Sequence, residues 1–178
     1  VTGTVAACQG VITHEFLHSV GLPDLYRRSG TDGTPVGVWD IMASNSFFMQ
    51  YPLSYQRYKL GWIPMQQITK SGTYTLDPVS DPDSDTKLYE IKTPMSASES
   101  FMLEYRKKIT TNFSNLGFET KIPSSGLLIY RVNKSVVNQT NAWGDDYLYV
   151  YRPGETSTTA SAGDLFKSAL DPNSNRTS

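Results

Sequence analysis

The chain has 178 residues, which is enough for one substantial domain or two small ones. Hydrophobic residues make up 38% and charged residues 19%, a balance typical of a folded protein rather than a disordered tail. A net charge of −1 gives no electrostatic reason to expect nucleic acid or an anionic membrane as a partner. No apolar run reaches the roughly 20 residues that span a bilayer, so we expect neither partner.

The first predicted element is a helix over residues 4–21. Gly21 fits a helix stop, because glycine takes the left-handed conformation cheaply, and Pro23 prevents the helix from resuming. The apolar side chains of this segment recur at helical spacing: Val5, Ala6, Cys8, Val11, Ile12, Phe16, Leu17 and Val20.

The only two histidines of the chain, His14 and His18, lie four residues apart on this helix. That spacing places both imidazoles on one face, where two ring nitrogens can reach one ion at about 2.0–2.1 Å, the usual zinc–imidazole distance. Glu15 points partly aside, so its carboxylate can reach a water instead of the metal and take a proton from it. The HExxH spacing therefore predicts two metal ligands, His14 and His18, and one general base, Glu15.

The motif extends to HExxHxxGxxD, ending at Asp24. An unbroken helix would carry residue 24 away from the metal, but a glycine turn at Gly21 redirects the chain so that Asp24 can supply a third ligand. The fourth position then stays open for water, as catalytic zinc requires. The alternative for Asp24 is a turn former or cap near a helix end. Two imidazoles and a carboxylate suit zinc, although cobalt or manganese can occupy the same ligands.

Further along, the pattern predicts a glycine-rich loop over 29–37 and a second helix from Ser54 to Leu60 that ends at Gly61. After residue 64 the texture changes to short, alternating runs rich in tyrosine and valine, which predict an antiparallel β structure. We divide the chain into three parts. Residues 1–70 contain the predicted metal-binding helix and belong to a zinc-binding domain, residues 71–153 form a β-rich region packed on it, and residues 154–178 form a loop, a short helix and a frayed terminus. The predicted strands are 72–76, 87–93, 100–108, 126–133 and 146–153.

The acidic run DPVSDPDSD over 77–85 holds four aspartates. Calcium prefers oxygen ligands, so a calcium site is one interpretation. The run lacks the spacing of an EF-hand loop and is interrupted by prolines, which favours a solvated turn between strands.

A second element, VWDIMAS over 38–44, follows the histidine motif. Together the two resemble a metzincin metallopeptidase, in which a tight turn bearing a methionine, here Met42, lies under the zinc. The helix HEFLHSVGLPDLY is most similar to the M6, or immune inhibitor A-like, peptidases, which place aspartate where most metzincins have a third histidine. The strings YKLGWI, FMLEYR and GLLIYRVN add support. The resemblance implies a secreted, extracellular enzyme that acts on a protein or peptide substrate.

The expected fold class is thus α+β: the C-terminal part of a metzincin-like catalytic domain, with active-site helix, methionine turn and second helix, followed by an antiparallel β-rich region. The resemblance implies an N-terminal half before the helix, and the start VTGTVAACQGVI reads as the middle of a domain, so we expect a fragment. No tyrosine stands beside Met42 to stabilise an oxyanion. Tyr51 and Tyr55 are possible substitutes, with packing the favoured role for each.

The main hypothesis is a zinc-dependent endopeptidase in which His14, His18 and Asp24 bind the metal and Glu15 activates water. One alternative is a β-rich module that binds protein or carbohydrate and carries an inactive site. Another is a zinc hydrolase for a small amide or ester, because the motif specifies the water chemistry and not the substrate. The sequence leaves the oligomeric state open.

Overall fold

The computed structural model describes residues 2–28, 33–45, 49–109, 118–120, 122–143, 146–154 and 164–171, with side chains from residue 9 onward. Its two α-helices are α1 (Thr2–Ser19) and α2 (Ser54–Lys59). Single 3₁₀ turns cover Gly37–Trp39, Val137–Gln139 and Leu165–Lys167. The strands are β1 (Gln66–Gln67), β2 (Tyr89–Lys92), β3 (Glu99–Arg106), β4 (Gly126–Asn133) and β5 (Leu148–Val150).

Both α-helices end in the glycine turn that the sequence predicts. Gly21 has a φ of 101°, and the N–H groups of Gly21 and Leu22 bond back to the carbonyls of His18 and Leu17. This pair of bonds is the Schellman motif, and the two leucines close it by packing in the core. Helix α2 repeats the arrangement around Gly61, whose φ is 74°. The predicted ends are therefore confirmed to within two residues.

The five strands form one sheet in the order β1-β2-β3-β4-β5. Strands β2 to β5 are antiparallel, whereas β1 runs parallel to β2, so the sheet is mixed and the expectation of a purely antiparallel region is corrected. The longest register pairs all of β3 with all of β4, from Glu99 with Asn133 to Arg106 with Gly126. Two helices with this sheet confirm the α+β class.

One predicted strand is wrong. Residues 72–76 alternate as a strand would, but residues 71–75 are exposed and lie outside the sheet, and the Tyr74 hydroxyl bonds locally to the Lys70 carbonyl. The alternation signals a strand only where a partner edge is available. The prediction for 146–153 narrows to β5, and the 126–133 strand is confirmed at both ends.

The hydrophobic core takes side chains from both sides of residue 70, including Leu25 and Met42 from the first part and Met102, Tyr130 and Leu148 from the sheet. Alternate residues of β4 are buried, which is the pattern of a strand with one face on a core. The division at residue 70 stays a prediction. Within the described residues, no helix is long and apolar enough to cross a membrane. Parts of the predicted loop at 29–37 and of the segment 154–178 lie outside the described residues.

Candidate metal centre

Helix α1 and its glycine turn bring His14, His18 and Asp24 together. The Nε2 atoms of the two histidines lie 3.1 Å apart, which follows from their one-turn spacing. The turn at Gly21 reverses the chain, so that Asp24 Oδ1 lies 3.3 Å from His14 Nε2 and 3.1 Å from His18 Nε2. Among the described residues, these three form the one group of histidine, cysteine and acidic side chains suited to a metal ion.

Backbone carbonyls orient both imidazole rings. The Nδ1 atom of His14 lies 2.9 Å from the Ile41 carbonyl oxygen, and that of His18 lies 2.7 Å from the Leu22 carbonyl oxygen. A carbonyl only accepts, so these contacts assign the proton of each ring to Nδ1. In the neutral ring this tautomer leaves the Nε2 lone pair free, and each Nε2 faces the other ring and Asp24, which is the arrangement that metal-binding histidines adopt.

The Asp24 carboxylate gives an independent indication of a cation. Its Oδ1 atom is buried and has no hydrogen-bond partner in the described part of the chain. Buried carboxylate oxygens are normally satisfied, because leaving one unpaired costs free energy. Here that oxygen lies close to the Nε2 atoms of both histidines, and a single shared proton can join only two of these three atoms. A metal ion satisfies all three atoms at once, so the residues present fit a bound metal.

Solvent reaches the centre from one side. The side chain of His14 is 4% exposed, that of Asp24 15% and that of His18 34%. Glu15 follows His14 on α1, is exposed, and does not belong to the cluster of three. Its side chain therefore faces solvent and is not one of the three converging groups.

The turn that contains Met42 lies directly against the centre. The Ile41 carbonyl of this turn bonds to His14. The Met42 carbonyl accepts the N–H of Leu25, next to Asp24 in the chain, with an N···O distance of 2.9 Å. Met42 itself is fully buried. The Asp40 carboxylate shapes this turn, because its two oxygens accept the N–H groups of Met42 and Leu53, both at 2.7 Å. Burial raises the pKa of Asp40 to about 7, although these two bonds and Arg106 lower it.

A fully buried charge cluster lies beneath the turn. Arg106 donates to Glu119, to Glu104 at 3.0 Å and to the carbonyl of Trp39 at 2.7 Å. Burial alone lowers the pKa of Arg106, but Glu119 and Glu104 outweigh it and hold the pKa above its usual range. Glu104 also accepts the N–H of Ser54 at the start of α2. Strand β3 is thus tied to both the methionine turn and α2.

Tyr26 is a neighbour of the centre that the sequence pattern did not single out. Its ring stacks on that of His14, with centroids 6.4 Å apart and planes at 25°. Burial raises the pKa of Tyr26, and the Asp24 carboxylate beside its hydroxyl raises it further. The signal was its position two residues after Asp24. Tyr51 and Tyr55 have packing roles instead, the first against Phe118 and the second against neighbouring tyrosines.

The acidic run 77–85 gives no support to a calcium site. Asp77 accepts the hydroxyl of Ser84 at 2.6 Å, and Asp81 accepts the N–H of Asp83 at 3.0 Å, so these carboxylates close local turns. No three acidic groups of the run converge among the described residues. The turn interpretation therefore describes this segment.

Comparison with known proteins agrees with this geometry. Residues 3–54 match the family model of the immune inhibitor A peptidase M6 catalytic domain. The chain is 26% identical, over 196 aligned positions covering 94% of its length, to the pre-pro-metalloprotease PrtV of two Vibrio cholerae O1 strains, M66-2 and El Tor Inaba N16961. It spans about a fifth (21%) of the length of these curated relatives. No solved structure matches it.

The family model covers α1 from its second residue, all three residues of the candidate metal cluster and the turn with Met42. The similarity to the relatives extends beyond this region, over 94% of the chain. Residues 3–54 thus match the catalytic domain of the M6, immune inhibitor A-like metallopeptidases, and the rest of the chain is similar to a metalloprotease at 26% overall identity.

Proposed function

We propose that this chain carries the catalytic centre of a zinc-dependent endopeptidase of the metzincin type. The observation that supports it most is the convergence of three atoms that can bind a metal, on His14, His18 and Asp24, around one point. The two anchored Nδ1 atoms and the unpartnered Asp24 Oδ1 fit a resident cation. Nitrogen and oxygen ligands in this number suit zinc.

The three ligands leave room for chemistry at the exposed side of the centre. When bound, zinc supplies Lewis acidity, which activates water and polarises a carbonyl group. Glu15 is the general base: its exposed carboxylate accepts a proton from the attacking water and then passes it to the leaving amine. Its place next to His14 on α1 keeps that carboxylate beside the ligands without competing with them.

Tyr26 is our candidate for the group that binds the oxyanion formed from the scissile carbonyl. Tyr26 is 39% exposed, its ring is stacked on that of His14, and a tyrosine hydroxyl is protonated at neutral pH. A neutral phenol can donate a hydrogen bond where negative charge develops during the reaction.

The methionine turn supports the metzincin assignment. A turn from Asp40 to Ala43 lies under the ligand helix, with Met42 buried and the Ile41 carbonyl bonded to His14. We extend the same proposal to a protein or peptide substrate and to an extracellular location. The family match and the name of the relative support a peptidase over the binding-module alternative.

The test uses the full-length protein that contains this chain, with zinc content measured by mass spectrometry and hydrolysis of an unfolded protein measured by fluorescence. Glu15→Gln should lose activity by about 10²–10⁴-fold and keep its zinc. The matched control is Glu99→Gln, which changes a carboxylate paired with Arg131 on the sheet and should leave activity unchanged. Full activity in Glu15→Gln, or in chelator-treated protein, would refute the proposal.

A further inference from the structure

Asp24 is held differently from the two histidines. Each histidine ring is anchored to a backbone carbonyl through its Nδ1 atom. The Asp24 carboxylate instead lies beside the Tyr26 hydroxyl, with Arg28 4.0 Å from Oδ2, and its Oδ1 has no hydrogen-bond partner in the described residues. The residues around Asp24 belong to neither a helix nor a strand. The position of the carboxylate therefore also depends on the contacts that hold the Asp24 main chain.

That main chain is held by a segment 116 residues away. The Asp24 carbonyl accepts the hydroxyl of Thr140 at 2.6 Å and the N–H of Asn141 at 3.3 Å. The Asn141 side chain donates to the Leu25 carbonyl at 3.1 Å. Further along the chain, the N–H of Arg28 bonds to the Ala142 carbonyl at 3.2 Å. Three residues of the segment 24–28, which we call the ligand loop, are thus bonded to three consecutive residues, 140–142.

Asn141 links this contact to the sheet. Its side chain is fully buried, and its amide uses both donors and its acceptor: it donates to the carbonyls of Leu25 and Leu148 and accepts the N–H of Leu148. Leu148 is the first residue of β5. A shift of β5 is therefore transmitted to Leu25, the neighbour of the ligand, because leaving any of these buried groups unpaired is costly.

A buried ion pair restrains the same loop from its other end. Arg27 donates to Asp146 through two bonds of 3.0 and 2.6 Å, and the two side chains are 5% and 4% exposed. Such a bidentate pair fixes direction as well as distance. Residues 140–142 and Asp146 therefore contact the segment 24–28 on both sides of Tyr26.

We propose that Thr140 and Asn141 are positioning residues for the third metal ligand: they fix the Asp24 main chain so that its carboxylate meets His14 and His18. This inference rests on the proposed metal site. It assigns the β-rich part of the chain a role in metal binding, because the contacts that hold Asp24 come from the connection between β4 and β5. Loss of such a contact typically weakens metal binding by about 10–100-fold.

Thr140→Val tests this directly in the full chain, because it removes the hydroxyl and keeps the shape of the side chain. Thr140→Ser restores the hydroxyl and should restore binding. Thr93→Val is the matched control: both hydroxyls accept a backbone N–H two residues ahead, but Thr140 alone of the two also donates to Asp24. Asn141→Asp is a second variant, since it keeps the acceptor for Leu148 and removes both donated bonds.

The readouts are the zinc dissociation constant by chelator competition, the visible spectrum of the Co²⁺-loaded protein, and thermal unfolding of the metal-free form. We expect Thr140→Val to weaken zinc binding by about 10–100-fold and to change the Co²⁺ spectrum, with Thr93→Val like the wild type. Unchanged affinity and spectrum in folded Thr140→Val and Asn141→Asp would overturn the inference alone. A wild-type chain that binds neither ion would overturn the proposed function as well.

Discussion

Replacing Arg106 by methionine should be among the most destabilising single changes in this chain. The guanidinium is fully buried, pairs with Glu104 and Glu119, and donates to the Trp39 carbonyl. Methionine fills much of the volume but leaves two buried carboxylates without their cation. Breaking a buried pair in this way costs about 3–5 kcal/mol of unfolding free energy.

For a chain of this size, 1 kcal/mol shifts Tm by roughly 2–4 °C, so Arg106→Met should lower Tm by roughly 6–20 °C. The measurement is thermal unfolding of the metal-free chain, followed by circular dichroism. The matched control is Arg131→Met on the neighbouring strand, whose partner Glu99 lies at 3.2 Å and whose pair is 21% and 31% exposed. Exposed pairs contribute about 0–1 kcal/mol, so this control should change little.

A double variant separates charge from packing. The double variant Arg106→Met, Glu104→Gln should be less destabilised than the sum of the single changes. A loss in Arg106→Met no larger than that in Arg131→Met would refute the view that this cluster holds the fold together.

Three other predictions follow from the same geometry. Gly21→Ala and Gly61→Ala should each lower the free energy of unfolding in urea by about 1 kcal/mol, because both glycines have a positive φ with open space around them. Only Gly21→Ala should also weaken zinc binding. Equal zinc affinities of the two variants would contradict this. Tyr26→Phe should lower kcat by about 10²–10³-fold with zinc content unchanged, and loss of zinc would instead make Tyr26 a support for Asp24. The pKa of Asp40 is raised to about 7 in the folded metal-free chain, so Asp40 keeps a proton there that the unfolded chain loses above about pH 4. The contribution of Asp40 to the free energy of unfolding is therefore complete below about pH 4. It is lost as the pH rises through about 7. Asp40→Asn should remove up to about 4 kcal/mol of that pH dependence in urea titrations, and an unchanged slope would contradict it.

The features that the sequence predicted well are those set by neighbours in the chain. The helix with its glycine stop, the second helix and strand β4 each follow from spacing within a few residues. The three members of the metal cluster also lie within eleven positions of one another, from His14 to Asp24, so their convergence was predictable from the motif.

The features that the sequence did not predict depend on partners far away. Residues 72–76 alternate as a strand would, but they do not pair with any strand of the sheet. The two-residue strand Gln66–Gln67 pairs with the edge of β2 instead. The contacts of Thr140 with Asp24 join positions 116 residues apart. Nothing in the sequence around Thr140 distinguishes it from a threonine in an exposed turn, although the structure buries it.

This difference between local and distant contacts separates two questions about the centre. Which atoms can bind a metal is decided between His14 and Asp24, and the family match over residues 3–54 contains that answer in full. How firmly the ligands are held is decided partly beyond that match, by Arg106 behind the methionine turn and by Thr140 and Asn141 behind Asp24. A relative can therefore keep the whole motif and still bind metal weakly if its sheet no longer supplies these contacts. Retention of HExxHxxGxxD reports the ligand set, whereas the residues of β3 and of the β4–β5 connection report whether the geometry is maintained.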